Sequence, residues 1–333
     1  MHPLPGDDLG RFWVAATPDH ASPKEKNVLV TLVAADENGE LLVLGNAFVI
    51  YAGGNKAICM AAAHSFDRIK YQQMIMSGRH YYHMVDDFRP DVIEFVKTEE
   101  IFAFLVIDDV VVNCKVEQLN YIANYDVAVF TIYNPDENLS FSNHVELDLA
   151  VPHVGDVVAV LANDISLESA GDGQGQLTQS LHMRYGTVTE VNWDKSPLPG
   201  QSMYFQTTIP FTPGMSGAPV MLAPEKRANV AICGVVSADL SEPEAFNLMT
   251  VAGRSSVSMI WPALGFGLDV DFDGYKGHRF IGDLVNSGAI QSKKNGIRVT
   301  VVGSNDKTDT TYVDNRTNPP SGVVLTTKGH PKI

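Results

Sequence analysis

Short apolar runs alternate with turn residues along most of this chain. "NVLVTLVAAD", "LLVLGNAFVIY" and "KAICMAAAH" come first, each rich in Val, Ile, Leu, Ala or Phe. "ENGE" joins the first two and carries Asn38-Gly39, a pair that tolerates the positive φ of a tight hairpin turn. "AGGNK" joins the next two in the same way. Further runs are "DVIEFVK", "IFAFLVIDDVVVN", "YDVAVFTIY", "GDVVAVLAN", "HMRYGTVTEVNW", "SMYFQTTI", "APVMLA" and "VAICGVVSADL". Helical spacing is scarce; the segment after His64 and "VSMIWPAL", ended by Pro262, are the candidates. Many short strands with turns at this spacing predict an all-β protein of barrel or sandwich type.

Three stretches break the pattern. "NPDENLSFSNHVELDLAVP" is polar and proline-bearing, and reads as a linker between two β halves. In "DISLESAGDGQGQLTQS", Gly, Ser, Asp and Gln replace apolar residues, which predicts a long mobile surface loop over Asp164–Ser180. Beyond Gly265 the chain turns polar and glycine-rich. "NGIRVTVVG" predicts one more strand, and "SNDKTDTTYVDNRTNPPSG" reads as a flexible tail. No internal repeat of fixed period is found. The expected organisation is an N-terminal extension at 1–26, a first β unit at 27–148, a second at 149–265 and a polar C-terminal extension at 266–333.

Composition narrows the function classes. The chain has 333 residues, 45% hydrophobic and 19% charged, the balance of an ordinary globular protein. A formal net charge of −15 argues against sequence-independent binding to nucleic acid or an anionic membrane. No apolar run approaches the roughly 18 residues of a membrane helix. The opening "MHPLPGDDLGRFWVAA" is acidic and broken by proline, so no signal peptide is expected. Cys59, Cys114 and Cys233 sit in strand-like runs and read as buried free thiols. Their scarcity fits a reducing cytoplasm, and a processed secreted chain would look similar.

Three segments carry candidate chemistry. "AICMAAAHSF" ends an apolar strand on His64, "NYDVAVFTIY" opens another on Asp126, and "TPGMSGAPV" sets Ser216 in a glycine turn. Singly, each has an ordinary reading as a core-edge histidine, a turn cap and a loop serine. Together they meet a chemical need. A serine hydroxyl is a weak nucleophile that requires a base within hydrogen-bond reach. Histidine supplies that base at neutral pH, and a buried carboxylate fixes its tautomer. Small residues before the histidine permit close approach, and glycines beside the serine free backbone N–H groups for an oxyanion.

Other clusters are weaker. His80, His83, Asp86 and Asp87 in "HYYHMVDDF" lack diagnostic metal-ligand spacing. Asp269, Asp271, Asp273 and Gly274 in "DVDFDGYKG" are reminiscent of a calcium loop, but Phe280 stands where its twelfth-position glutamate belongs. "AGDGQGQ" has neither the strand-turn-helix context nor the lysine of a phosphate loop. Lys293 and Lys294 read as a solvated pair. No metal or cofactor is expected.

In order and context, the three segments resemble the motifs of trypsin-like (chymotrypsin-fold) serine proteases. "AAAHSF" is similar to their Ala-Ala-His motif, "YDVAVF" to Asp-Ile-Ala-Leu, and "GMSGAP" to Gly-X-Ser-Gly-Gly-Pro. The closest likeness is to the Deg-type branch, whose nucleophile motif Gln-Thr-Asp-Ala-Ala-Ile-Asn-Pro-Gly-Asn-Ser-Gly-Gly-Pro aligns in register with "QTTIPFTPGMSGAP". "GDVVAVLAN" and "YGTVTEV" resemble the hairpin opening the second barrel of that branch. The resemblance spans roughly residues 27–265 and implies two six-stranded antiparallel β-barrels with the active site between them, plus a short helix near 257–264.

The resemblance implies Ser216 as nucleophile, His64 as general base and then acid, and Asp126 as the orienting carboxylate. It implies an oxyanion hole from the N–H groups of Gly214 and Ser216, and a substrate cleft lined by Pro210, Phe211, Thr212, Ser237, Ala238 and Asp239. Ser237 would also help hold Asp126. Several residues depart from the pattern. Met215 stands where digestive members carry the aspartate that pairs with a new N-terminus, so activation by N-terminal cleavage is not expected. Ala218 replaces a glycine and is tolerable at negative φ. Ser65 replaces a disulfide cysteine. No acidic residue marks the pocket base, and Pro210 and Phe211 favour a small or apolar P1 side chain, with Asp239 as a counterweight. No PDZ domain is recognised after the second barrel.

The resulting expectation is a regulated cytoplasmic endopeptidase acting on a protein or peptide substrate, with the 164–180 loop and the C-terminal segment restraining the cleft or binding a regulatory protein. The alternatives are a catalytically silent peptide-binding module on the same fold, and an esterase using the same three residues.

Overall fold

The computed structural model describes residues 2–3, 12–16, 27–35, 41–66, 94–95, 101–107, 110–122, 125–136, 138–170, 174–193, 203–212, 214–222, 231–239, 255–272, 274–303 and 307–328. The apolar runs become strands that close into two barrels. The first contains β1 (Leu29–Ala35), β2 (Leu41–Gly53), β3 (Lys56–Ala61), β4 (Ile101–Ile107), β5 (Val110–Ile122) and β6 (Val127–Tyr133). They pair antiparallel in the ring β1-β2-β3-β6-β5-β4 and back to β1. The second contains β7 (Val157–Ala170), β8 (Gln174–Asn192), β9 (Tyr204–Thr207), β10 (Pro219–Leu222), β11 (Ala231–Asp239) and β12 (Ser255–Met259). Its ring, β7-β8-β9-β12-β11-β10 and back to β7, repeats the same connectivity. Two six-stranded antiparallel barrels in this arrangement constitute the chymotrypsin-like fold.

Continuous apolar runs arise where both faces of a strand are buried. On β3, Ala57, Cys59 and Ala61 fill the first barrel's interior. Ile58 and Met60, on the opposite face, join a cluster that continues into the second barrel. β6 divides in the same way, with Ala128, Phe130 and Ile132 inside and Val127 and Val129 in the shared cluster. Strict apolar–polar alternation is therefore absent from these strands: neither face meets water. The described residues of 134–152 lead from the first barrel towards the second and are irregular except for an isolated bridge at Phe141 and a short strand at Glu146–Asp148.

Three sequence expectations are corrected. Asp164–Ser180 is not an irregular loop at its described positions. β7 and β8 pair from Val157↔Thr187 to Ala170↔Gln174, making one long hairpin. Backbone groups of the two arms satisfy each other whatever the side-chain polarity, so polar composition does not preclude a strand.

The C-terminal segment is not a flexible tail. It folds as a hairpin of β13 (Gly267–Phe272) and β14 (Tyr275–Phe280), helix α1 (Ile281–Ser287), and a sheet of β15 (Ile297–Gly303), β16 (Lys307–Asp314) and β17 (Ser321–Lys328). Leu268, Val270, Phe272, Ile281, Leu284, Ile297, Tyr312 and Leu325 belong to the same core cluster as the second barrel. Tyr312 packs against Trp261 and Trp193 at ring-centroid distances of 5.3 and 5.4 Å. The hairpin also grips the first barrel: Gln118 exchanges two hydrogen bonds with the backbone of Asp269, and the Asn120 carboxamide donates to the Gly267 carbonyl. β16 escapes a hydropathy reading because its buried positions are Thr308, Thr310, Tyr312 and Asp314. Thr is polar by composition but β-branched and strand-forming by shape. The helix expected near 257–264 is shorter, a 3-10 turn at Trp261–Gly265, because Ser255–Met259 belong to β12.

Candidate active site

The β3–β6 pairing sets the first half of the site. Its register runs to Ala61↔Ala128, so the end of β3 and the start of β6 lie at one edge of the first barrel. His64 follows in the 3-10 turn Ala63–Phe66, and Asp126 immediately precedes β6. Asp126 has φ +45°, a left-handed conformation that aspartate tolerates better than most residues. It is nearly inaccessible, with a side chain 3% exposed, whereas His64 is 35% exposed.

Asp126 holds His64 at two points. The His64 backbone N–H donates to Asp126 Oδ1 at 2.8 Å, and His64 Nδ1 lies 2.8 Å from Oδ2 and 3.0 Å from Oδ1. The second barrel adds a third contact, because Ser237 Oγ on β11 donates to Asp126 Oδ2. The far ring nitrogen, His64 Nε2, lies 2.7 Å from Ser216 Oγ. With Nδ1–H donated to the carboxylate, Nε2 is the unprotonated nitrogen and accepts a hydrogen bond from the Ser216 hydroxyl.

Ser216 sits in a tight turn before β10. Gly214 has φ +91° and Gly217 φ +82°, conformations that disfavour side chains. Met215, 1% exposed, anchors the turn in the core; its N–H donates to the Thr212 carbonyl at 3.1 Å and its sulfur accepts from the Thr212 N–H at 3.3 Å. Ala218 is buried, is not at positive φ, and exchanges backbone hydrogen bonds with Met215 and Val236. The N–H groups of Gly214 and Ser216 make no hydrogen bond with other described residues.

The remaining cleft candidates divide by position. Pro210 and Thr212 are exposed, and the Pro210 carbonyl accepts from Arg184 at 2.8 Å. Phe211 is only 3% exposed, belongs to the core cluster, and its N–H donates to Ser255 Oγ at 3.1 Å. Ser237 is committed to Asp126. Ala238 and Asp239 continue β11, opposite Ser256 and Ser255 of β12. The sequence did not single out Asn46 or Asn163, which join the barrels beside the turn. The available signal was a carboxamide within an apolar run, at Asn46 in "LLVLGNAFVIY" and at the end of "GDVVAVLAN".

Other sequence candidates do not converge here. His80, His83, Asp86 and Asp87 lie outside the described residues. Asp269 and Asp271 are on β13, facing His278 at 3.1 Å and Lys276 at 3.6 Å across the hairpin. Lys293 pairs with Glu146 at 3.3 Å. Burial raises all three cysteine thiols, Cys114 to about 12, so none supplies a thiolate at neutral pH. Among the described residues there is no cluster of metal-ligating side chains and no helix long and apolar enough to cross a membrane.

No protein-family model matches the sequence, and no curated protein matches it. Solved structures do. Deg5 aligns at 15% identity and TM-score 0.44, covering 71% of this chain and 85% of that one. The MamO protease domain from Magnetospirillum magneticum, in its apo form, aligns at 12% identity and TM-score 0.40, covering 72% and 94%. The HtrA-type protease AlgW, solved with a decapeptide, aligns at 12% identity and TM-score 0.43, covering 93% and 98%. These are likenesses of fold, and the fold itself rests on the strand pairing of the two barrels.

Proposed function

We propose that this chain is a serine endopeptidase that hydrolyses peptide bonds through an acyl-enzyme. The observation that carries the reading is the His64 ring, held 2.8 Å from Asp126 on one side and 2.7 Å from Ser216 Oγ on the other. Ser216 Oγ attacks the scissile carbonyl carbon while His64 Nε2 takes its proton. The carbonyl oxygen becomes an oxyanion received by the N–H groups of Gly214 and Ser216. Asp126 stabilises the imidazolium and does not itself take the proton. The tetrahedral species collapses, the C–N bond breaks, and His64 passes its proton to the leaving amine. Water then attacks the ester carbonyl with His64 again as base, and Ser216 is released with the new carboxyl end.

The substrate class is protein or peptide, held in extended form along the end of β11. The apolar Pro210 and Phe211 that precede the Ser216 turn suit a small or apolar P1 residue. Three free, buried cysteines favour work in a reducing compartment such as the cytoplasm. Control falls to the β7–β8 hairpin, to the C-terminal segment or to a protein partner.

A fluorophosphonate probe tests the reaction. Labelling should map to Ser216 and vanish in Ser216→Ala and His64→Ala; an unlabelled folded wild type would sink the proposal. Profiling of new peptide N-termini, wild type against Ser216→Ala, then separates a protease from both a silent peptide-binding module and an esterase.

A further inference from the structure

Asn46 lies within an apolar strand of the first barrel and is fully buried. Every polar group of its side chain points across to the second barrel. Its Oδ1 accepts from the Asn163 N–H at 2.9 Å, and its Nδ2 donates to the Asn163 carbonyl at 3.1 Å and the Gly214 carbonyl at 2.6 Å. Its backbone N–H donates to the Ser216 carbonyl at 2.7 Å. We infer that Asn46 is a positioning residue for the oxyanion hole, gripping by their carbonyls the two residues whose N–H groups receive the oxyanion. The inference rests on the protease reading above.

A peptide unit is planar, so fixing the Gly214 carbonyl fixes the whole Gly214–Met215 plane. The Met215 N–H at its other end is held by the Thr212 carbonyl at 3.1 Å. Gly214 has soft dihedrals and no Cβ, so the turn alone does not prevent rotation of the adjacent peptide that carries its N–H. The Ser216 carbonyl is held by Asn46, and the next N–H, that of Gly217, goes to the Val236 carbonyl at 2.8 Å. A Cβ at Gly217 would collide with the Asn46 carbonyl, so strand and turn meet backbone to backbone.

The chemistry is specific to asparagine. The two-point bond with Asn163 imitates a strand pairing and fixes which end of the carboxamide carries the hydrogens. The second Nδ2 hydrogen then falls on Gly214. Aspartate would set an oxygen against two carbonyl oxygens in a dry site, and serine is too short to reach both. The Met215–Ser216 peptide, which carries one donor, thus lies between two peptide planes that Asn46 holds, and the Gly214 N–H is one Cα away from the first of them.

Asn46→Ala and Asn46→Ser test this, since both keep the backbone N–H to Ser216. Fluorophosphonate labelling of Ser216 is measured against probe concentration, alongside the low-field proton resonance of the His64 Nδ1–H bonded to Asp126. The limiting labelling rate should fall about 100-fold, as for loss of one oxyanion donor. The half-saturating concentration should move less than about threefold, because ground-state binding is untouched. The low-field resonance should persist. A limiting rate within about threefold of a labelled wild type overturns the inference and leaves the protease reading intact. Loss of the resonance together with labelling overturns it too, by showing general collapse of the site. If the alanine variant does not fold, the serine variant decides. Failure of both to fold makes Asn46 a residue of the fold and overturns the positioning role. A wild type that is not labelled fails the protease reading itself, and the inference with it.

Discussion

Replacing Asp126 with asparagine exchanges one oxygen for an amide nitrogen, and the surrounding donors dictate the consequence. The His64 backbone N–H, 2.8 Å from Oδ1, can only donate, so it retains the amide oxygen. The new NH2 then takes the place of Oδ2, facing His64 Nδ1 and Ser237 Oγ. Ser237 can rotate its hydroxyl to accept. His64 can accept at Nδ1 only by moving its proton to Nε2, where it faces Ser216 Oγ and blocks proton abstraction. The reverse amide orientation keeps the productive tautomer but sets two buried donors against each other, at a cost of about 1–3 kcal/mol. Either way the imidazolium loses a charge-assisted hydrogen bond of roughly 1.5–3 kcal/mol. Together these slow the reaction by about 10²- to 10⁴-fold at neutral pH. The assay is the rate of Ser216 labelling by a fluorophosphonate, with thermal unfolding as a control for folding. A folded Asp126→Asn protein labelled within about tenfold of wild type would refute the tautomer argument.

Four other outcomes are expected. Gly217→Ala should lose Ser216 labelling and unfold at lower denaturant, because its Cβ would meet the Asn46 carbonyl at a positive φ; wild-type behaviour in both measurements would show that strand and turn can separate cheaply. Tyr312→Ala should destabilise the protein by about 3–5 kcal/mol in urea unfolding, since a buried ring between Trp261 and Trp193 is removed; a change below about 1 kcal/mol would mean that the C-terminal sheet is not part of the core. The Arg316 guanidinium holds the Asp314 carboxyl below its ordinary value, so the pair contributes stability above the unfolded aspartate range and loses it as pH falls through the lowered folded value. Arg316→Ala should therefore cost about 1–2 kcal/mol at neutral pH and progressively less in acid, and a cost that grows in acid would reverse the sign. Cys59, Cys114 and Cys233 should resist a thiol reagent at mildly alkaline pH until the protein unfolds; rapid native-state labelling would contradict their burial.

Much of the fold was legible because strand runs and barrel strands coincide. "KAICMAAAH" and "YDVAVFTIY" advertise strands buried on both faces, and their ends carry His64 and Asp126. What escaped were elements whose stability does not depend on visible hydrophobicity. The outer β7–β8 hairpin is held by its ladder, and β16 buries threonines that count as polar. Asn46 was hidden for a related reason: nothing in a single strand says which partner a buried carboxamide will find 117 residues away. The matching connectivity of the two barrels also left no periodic sequence signal, because strand pairing follows burial pattern and chain reversals more than residue identity.

By itself the sequence determined an all-β chain, the positions of its apolar strands, and three short segments whose residue types suit a nucleophile, a base and an orienting acid. Those properties are local, set by side-chain volume, polarity and the φ that glycine permits. Only the tertiary structure decided that His64 Nε2 and Ser216 Oγ lie 2.7 Å apart, that Ser237 reaches Asp126, and that Asn46 ties the first barrel to the turn of the second. It also made the C-terminal segment part of the core. The reason is physical: a hydrogen bond is won or lost over a few tenths of an ångström, and that separation is set by how two packed barrels dock.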